Sequence, residues 1–173
     1  MAIVPDEKDW TWVLERACPE CGFDASELDR QDLAALILEV AGRWEPVLNG
    51  DELAIRHTPD VWSDLEYACH VRDVFRIFDE RLSLMLELQD PTFPNWDQDA
   101  TAIEDGYANQ SPALVAIELG EAAARLAERF ASLEPEQWLR TGSRSNGSRF
   151  TVEPMGRYMI HDPIHHLNDV DHD

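Results

Sequence analysis

The strongest constraint in this 173-residue chain is the spacing of its apolar residues, which follows a helical period in four separate segments. From about Arg30 to Leu48, the residues Leu33, Leu36, Ile37, Val40, Ala41, Trp44 and Leu48 fall three and four apart. Asp29 stands where an N-cap is needed and Asn49-Gly50 supplies a stop. A longer segment, from about Val61 to Leu88, carries the stripe Tyr67, Val71, Val74, Phe75, Phe78, Leu82 and Met85. The third follows Ser111-Pro112, a cap with proline in the first turn, and runs to about Leu133 over Leu119, Ala122, Ala123, Leu126 and Phe130. The fourth begins near Pro154 and carries Met155, Tyr158, Met159 and Leu167. Four amphipathic helices with one long connection, Gln89 to Gln110, predict an all-α fold, a four-helix bundle. Asn146-Gly147 is a hairpin-turn dipeptide, so Trp138 to Val152 is expected to form a short β-hairpin before the last helix. Residues 1–173 are expected to make a single domain, large enough to fold without disulfides or a structural metal.

Composition narrows the partners. Fourteen basic residues against 35 acidic ones give a formal charge of −21, which repels nucleic acid and anionic membranes. No apolar run approaches a membrane span, and the acidic start lacks the basic and apolar regions of a signal peptide. A cytoplasmic location is the expectation. Three cysteines, Cys18, Cys21 and Cys69, form no disulfide framework in a reducing compartment.

The histidines carry the clearest chemistry. His161 and His165, in HDPIHH, are four apart, so on a helix they share one face about 6 Å apart at Cβ. That spacing lets two imidazoles reach one metal ion, and His166 points about 100° away. Pro163 lies between the two ligands and is expected to kink the segment. His70, the only histidine of the second helix, sits at the border of its apolar stripe and could supply a third ligand inside the bundle. His57 and His172 fall in loop and tail and are assigned no role.

With a histidine early in the second long helix (ACHVRDVFRIFDERL) and HxxxH on the last (HDPIHH), the chain resembles the DinB-like superfamily. DWTWVLERACPECGFD, FPNWDQDATAIED and HDPIHHLNDV resemble its actinobacterial branch of mycothiol-dependent enzymes, so the likeness runs from about Asp9 to Asp169. The resemblance implies a four-helix bundle in which three histidines hold a divalent metal, zinc or nickel. Matched residue by residue, those ligands are His70, His161 and His165. Many relatives use the second member of a doubled histidine; here the HxxxH spacing leaves His165 as the match. Members of that branch are similar to thiol S-transferases and maleylpyruvate isomerases. The resemblance therefore implies transfer of a low-molecular-weight thiol, mycothiol, to an electrophilic small molecule, with mycothiol as co-substrate. No nucleic-acid or membrane partner is expected, and a homodimer is the assembly expected if one forms.

Around such a site, Glu66 and Asp73 lie one turn on either side of His70, and Asp169 lies four beyond His165; all three are candidate carboxylates for orienting a ligand ring. Arg140, Arg144, Arg149 and Arg157 form a positive island in a negative protein, and Arg140, Arg144 and Arg149 are candidates to hold an anionic substrate. Trp96, in the aromatic and proline-rich stretch Phe93 to Asp97, is a candidate for covering the bundle mouth. Cys18 and Cys21, in CPEC, have the spacing of a redox pair or of half a zinc site, whereas Cys69 is expected in the core. Two alternatives stay open: a hydrolase using metal-bound hydroxide, and a non-catalytic metal- or thiol-sensing module built on Cys18 and Cys21.

Overall fold

The computed structural model describes residues 10–171; Asp9, where the family likeness starts, and His172 lie outside the described residues. Four long helices form the bundle: α1 (Leu33–Leu48), α2 (Asp64–Glu87), α4 (Pro112–Ala131) and α5 (Val152–Asp169). The connection after α2 contains strand β1 (Thr92–Phe93), the short helix α3 (Gln98–Glu104) and a 3-10 turn at Tyr107–Asn109. Strands β2 (Thr141–Arg144) and β3 (Arg149–Thr151) precede α5. Helices α4 and α5 each pack against both α1 and α2. Among the described residues no helix is long and apolar enough to cross a membrane.

The predicted stripes become the core. Leu33, Ile37, Val40, Trp44 and Leu48 of α1 are buried, as are Val71, Val74, Phe75, Phe78, Leu82 and Met85 of α2. Leu119, Ala122, Ala123, Leu126 and Phe130 of α4 meet them. Helix starts differ from expectation for local chemical reasons. The Asp29 carboxylate accepts from the Gln31 N–H at 2.9 Å, closing a turn ahead of the helix, so α1 begins at Leu33. α2 begins after Ser63, whose hydroxyl accepts from Glu66 N–H while the Glu66 carboxylate accepts from Ser63 N–H, a capping box. Glu66 also binds Arg56 at 2.8 Å, so this carboxylate serves the helix start and Arg56, not the ring of His70.

Asp73 is likewise drawn into a network of its own. It accepts from Arg72 at 2.9 and 3.0 Å, from Arg76 at 3.2 Å and from the buried Tyr107 hydroxyl at 2.5 Å. Arg72 continues to Gln110 at 2.6 Å and to Glu118 of α4 at 2.8 Å. The network ties α2 to α4 and to the end of the long connection. It gives no contact to His70, contrary to the expectation from spacing. Burial would raise the Asp73 pKa, but the hydrogen bonds from Arg72 and then Tyr107 outweigh it and hold the carboxyl below its usual range.

The hairpin forms where expected, with β2 and β3 antiparallel in the register Thr141↔Thr151, Gly142↔Phe150 and Ser143↔Arg149. β1 adds a parallel edge to β2, which periodicity did not anticipate in so short a segment. The turn is longer than a two-residue Asn-Gly turn. Gly147 N–H bonds Arg144 O at 2.9 Å and Arg144 N–H bonds Ser148 O at 2.8 Å, with Gly147 in the left-handed region at φ 91°. Arginines of the predicted island fasten this hairpin to the end of α2. Arg140 donates to the carbonyls of Met85 (2.6 Å) and Leu88, which α2 itself leaves unpaired. Arg149 binds Asp90 at 3.1 Å and Arg157 binds Glu153 at 2.8 Å. Arg140 and Arg149 are thus engaged in holding the fold, and of the three candidates for anion binding Arg144 lines a cavity.

Two predictions follow from this packing. A Cβ at Gly142 would lie 2.9 Å from Met85 Cγ and closer still to the ring of Phe93, whereas one at the exposed Gly42 of α1 meets nothing within 4 Å. In urea unfolding, Gly142→Ala is expected to cost about 1–3 kcal/mol, and Gly42→Ala to add up to about 1 kcal/mol. Asp73→Asn is expected to cost about 1.5–3 kcal/mol at neutral pH, because it removes one of the two carboxylates paired with the buried Arg72. The folded Asp73 pKa is depressed, so its contribution is complete above an unfolded value of about 3.9 and fades as pH falls through the folded value. Unfolding curves of wild type and variant should therefore converge on acidification below pH of about 4 and stay separated at higher pH.

Candidate metal centres on the last helix

α5 continues through Pro163, so residues 161–166 lie on one helical run. Two i,i+4 pairs are interleaved there, His161/His165 and Asp162/His166, turned from one another by about 100°. The structure separates them completely. His161 and His165 face the amino-terminal segment and join Cys18 and Cys21; Asp162 and His166 face α2 and join His70. Within each group the potential ligand atoms lie within 4.8 Å of one another, and either group could hold a metal ion. The expected trio of His70, His161 and His165 is therefore not one cluster. His70 meets the neighbouring pair on the helix because α2 packs against that side of α5.

In the α2-facing group, His70 Nε2 lies 3.1 Å from Asp162 Oδ1, and His166 Nε2 lies 3.7 Å from the same oxygen. His166 Nδ1 is 2.7 Å from Asp169 Oδ2. Asp169 thus orients a ligand ring as expected from its position, but chiefly that of His166; His165 Nε2 is 4.0 Å from it. Burial alone would raise the Asp162 pKa, but the charges of His70 and then His166 hold it far below the usual carboxylate range.

Aromatic rings wall this group. Trp96 stacks on His70 with centroids 5.2 Å apart and planes 6° from parallel, anchored through its indole N–H to Thr101 at 2.9 Å. Trp62 also packs against His70, with centroids 5.1 Å apart and planes tilted by 47°, and Tyr67 lies 4.9 Å from His166. His70 is fully buried, while the side chain of Asp162 is 34% exposed, so the cluster opens to solvent on the Asp162 side. The buried Nδ1 of His70 has no hydrogen-bond partner, leaving Nε2 as the ring's only polar engagement, directed into the cluster. Two imidazoles and a carboxylate converging in this way suit a divalent ion and leave positions on it open.

In the second group, Cys18 Sγ lies 3.7 Å from His165 Nδ1 and Cys21 Sγ lies 3.7 Å from His161 Nε2. Burial, then the like charge of His165, pushes His161 down to about 4, so its ring is neutral at pH 7 with a lone pair available. Burial raises the Cys21 thiol. Cys69 lies in the core as expected, its thiol pushed up to about 12 by burial.

Sequence spacing missed Asp162, His166 and Glu20, whose carboxylate lies 3.4 Å from His165 Nε2. The signal for the first two was present: DxxxH at 162–166 has the same period as HxxxH at 161–165. One turn before Asp162, Tyr158 lines a small cavity with Phe78, Arg81, Phe93, Arg144, Phe150 and Met155. Arg81 there is pushed down to about 10 by burial and then by the charge of Arg144.

Comparison with known proteins agrees with this architecture. No curated protein shows significant similarity to the chain. Among solved structures, it is similar to YfiT from Bacillus subtilis, described as a probable metal-dependent hydrolase with an unusual four-helix bundle topology. The two share 17% identity with a TM-score of 0.74, over 98% of this chain and 91% of that one. A family model described as DinB superfamily matches residues 27–170, the stretch that holds all four bundle helices, and the chain belongs to that superfamily.

Proposed function

We propose that the protein is a metal-dependent enzyme whose centre is His70, Asp162 and His166, and that it transfers a low-molecular-weight thiol to an electrophilic small molecule. The observation that carries the metal centre is the convergence of two imidazole nitrogens on one carboxylate oxygen in a pocket open on one side. A divalent ion held there, zinc or nickel, would lower the pKa of a thiol or water at its open positions towards neutrality. The thiol reading rests on the family likeness of the chain's motifs, with mycothiol as the co-substrate.

The chain's own residues supply binding, orientation and exclusion of water. Asp169 fixes the tautomer of His166 by accepting from Nδ1, which leaves Nε2 as the donor atom. Trp96 stacks on the His70 ring and Trp62 packs against it at a tilt, and together they keep water from it. Arg144 and Arg81, which line the cavity that Tyr158 borders one turn before Asp162, would hold an anionic group of substrate. Trp96 would also supply a flat apolar surface for substrate, as the sequence position of its loop led one to expect.

A second reading, hydrolysis, is favoured by the likeness to YfiT and its printed description. One assay separates the two. Metal-loaded protein is incubated with monochlorobimane and mycothiol, and in parallel with an activated ester and no thiol. Thiol-dependent turnover above the free-thiol rate, abolished by His70→Ala or His166→Ala, is the expected outcome. Asp169→Asn should lower the rate by about 10–100-fold through loss of ring orientation. Turnover of the ester alone would select hydrolysis, and no metal-dependent rate in either arm would overturn the enzymatic reading.

A further inference from the structure

The four-residue cluster beside the amino-terminal segment is unused by this mechanism and has the features of a different kind of metal site. We propose that Cys18, Cys21, His161 and His165 form a closed tetrahedral zinc site that fastens the segment 10–28 to α5, separate from the His70 centre.

The geometry matches a specific coordination. Zinc–sulfur bonds of about 2.3 Å and zinc–nitrogen bonds of about 2.0–2.1 Å at a tetrahedral angle put sulfur and nitrogen about 3.6 Å apart. Cys18 Sγ to His165 Nδ1 and Cys21 Sγ to His161 Nε2 are both 3.7 Å. All four donor atoms lie within 4.8 Å of one another, which one central ion satisfies and an ordinary hydrogen-bonded set does not require. The thiols are free, and their C-x-x-C spacing is that of the cysteine half of a Cys2His2 site.

The backbone around the cysteines is shaped for the purpose. Gly22 takes φ 75° directly after Cys21, its N–H bonds Cys18 O at 2.8 Å, and Cys18 N–H bonds Phe23 O at 2.9 Å. On the histidine side, the Glu20 carboxylate lies 3.4 Å from His165 Nε2, the outer partner a ligating imidazole needs. Trp10 covers both rings, with centroids 5.5 Å from His161 and 5.0 Å from His165. Cys18, His161 and His165 are buried and Cys21 is half-buried, and four protein donors would fill a tetrahedral coordination sphere.

The segment that this site would hold has little regular structure of its own. It contains two 3-10 turns, Trp10–Leu14 and Ala25–Glu27, that lean on α5. An ion at this position would pin the segment and also fix the rotation of α5 about its axis. Because Asp162 and His166 directly follow His161 and His165 in the chain, that rotation aims them at His70.

The test compares untagged wild type with Cys18→Ser/Cys21→Ser and with His70→Ala/His166→Ala, each by elemental analysis and after cobalt loading. The expected result is one zinc ion per chain lost in the cysteine variant and kept in the histidine variant. A sulfur-to-cobalt charge-transfer band should follow the same pattern. In wild type, Cys18 and Cys21 should resist alkylation, read by peptide mass spectrometry, until a strong chelator is added. This second readout needs no variant to fold. Zinc content unchanged in the cysteine variant, equal alkylation with and without chelator, or a Cys18–Cys21 disulfide in freshly purified protein would each overturn the proposal. Failure of the thiol-transfer assay alone, with this pattern intact, would count against the His70 centre and not against the zinc site.

Discussion

Everything of chemical interest depends on how α5 is held. An α-helix turns about 100° per residue, so two ligand pairs offset by one position necessarily face different neighbours. On α5 one pair meets the cysteine turn and the other meets α2. The helix can serve both only if its rotation is fixed to a fraction of that angle. Burial of Val152, Met155, Met159 and Ile160 supplies part of the restraint. The Trp44 indole N–H adds a bond to the Pro163 carbonyl at 3.3 Å, from a fully buried ring on α1.

Polar groups in the interior are arranged as closed sets, each tying elements distant in sequence. The Arg72–Asp73–Tyr107 set joins α2 to the long connection and, through Glu118, to α4. Arg140 satisfies the carbonyls at the end of α2, work that a loop residue or water would otherwise do. Groups of this kind are costly to bury unpaired, which is why nearly every charged residue in the core has a defined partner. The Arg81–Arg144 pair is different: two like charges lie near one another in an aromatic cavity, a disposition suited to an anion. Tyr158, which borders that cavity, stands one helical turn before Asp162.

Proline in a helix is usually a break, and Pro163 led to the expectation of a kink between the two histidines. The helix runs through Pro163 to Asp169. The missing N–H costs one bond of the i→i−4 ladder, while the carbonyl of the buried Pro163 accepts from the Trp44 indole of α1. His161 and His165 stay on one face, as their spacing requires.

Much of this protein was legible in its residues. The four amphipathic stretches, the hairpin before the last helix and the burial of Cys69 all follow from periodicity or local chemistry, which act over a few residues. The fate of each polar group was not legible, because side-chain partners come from elements far apart in the chain. Glu66 and Asp73 sit one turn from His70, yet Arg56, Arg72 and Tyr107 claim them. Arg140 and Arg149 form a positive island in sequence and dissolve into separate anchors in space. Above all, two equally spaced pairs on α5 competed for His70, and spacing along one helix carries no information about which side a second helix will occupy. The amino-acid sequence alone determined that potential metal ligands would be presented one turn apart on the last helix. Only tertiary packing, by setting the rotation of α5 between α2 and the cysteine turn, decided that His70 meets Asp162 and His166 while the cysteines meet His161 and His165.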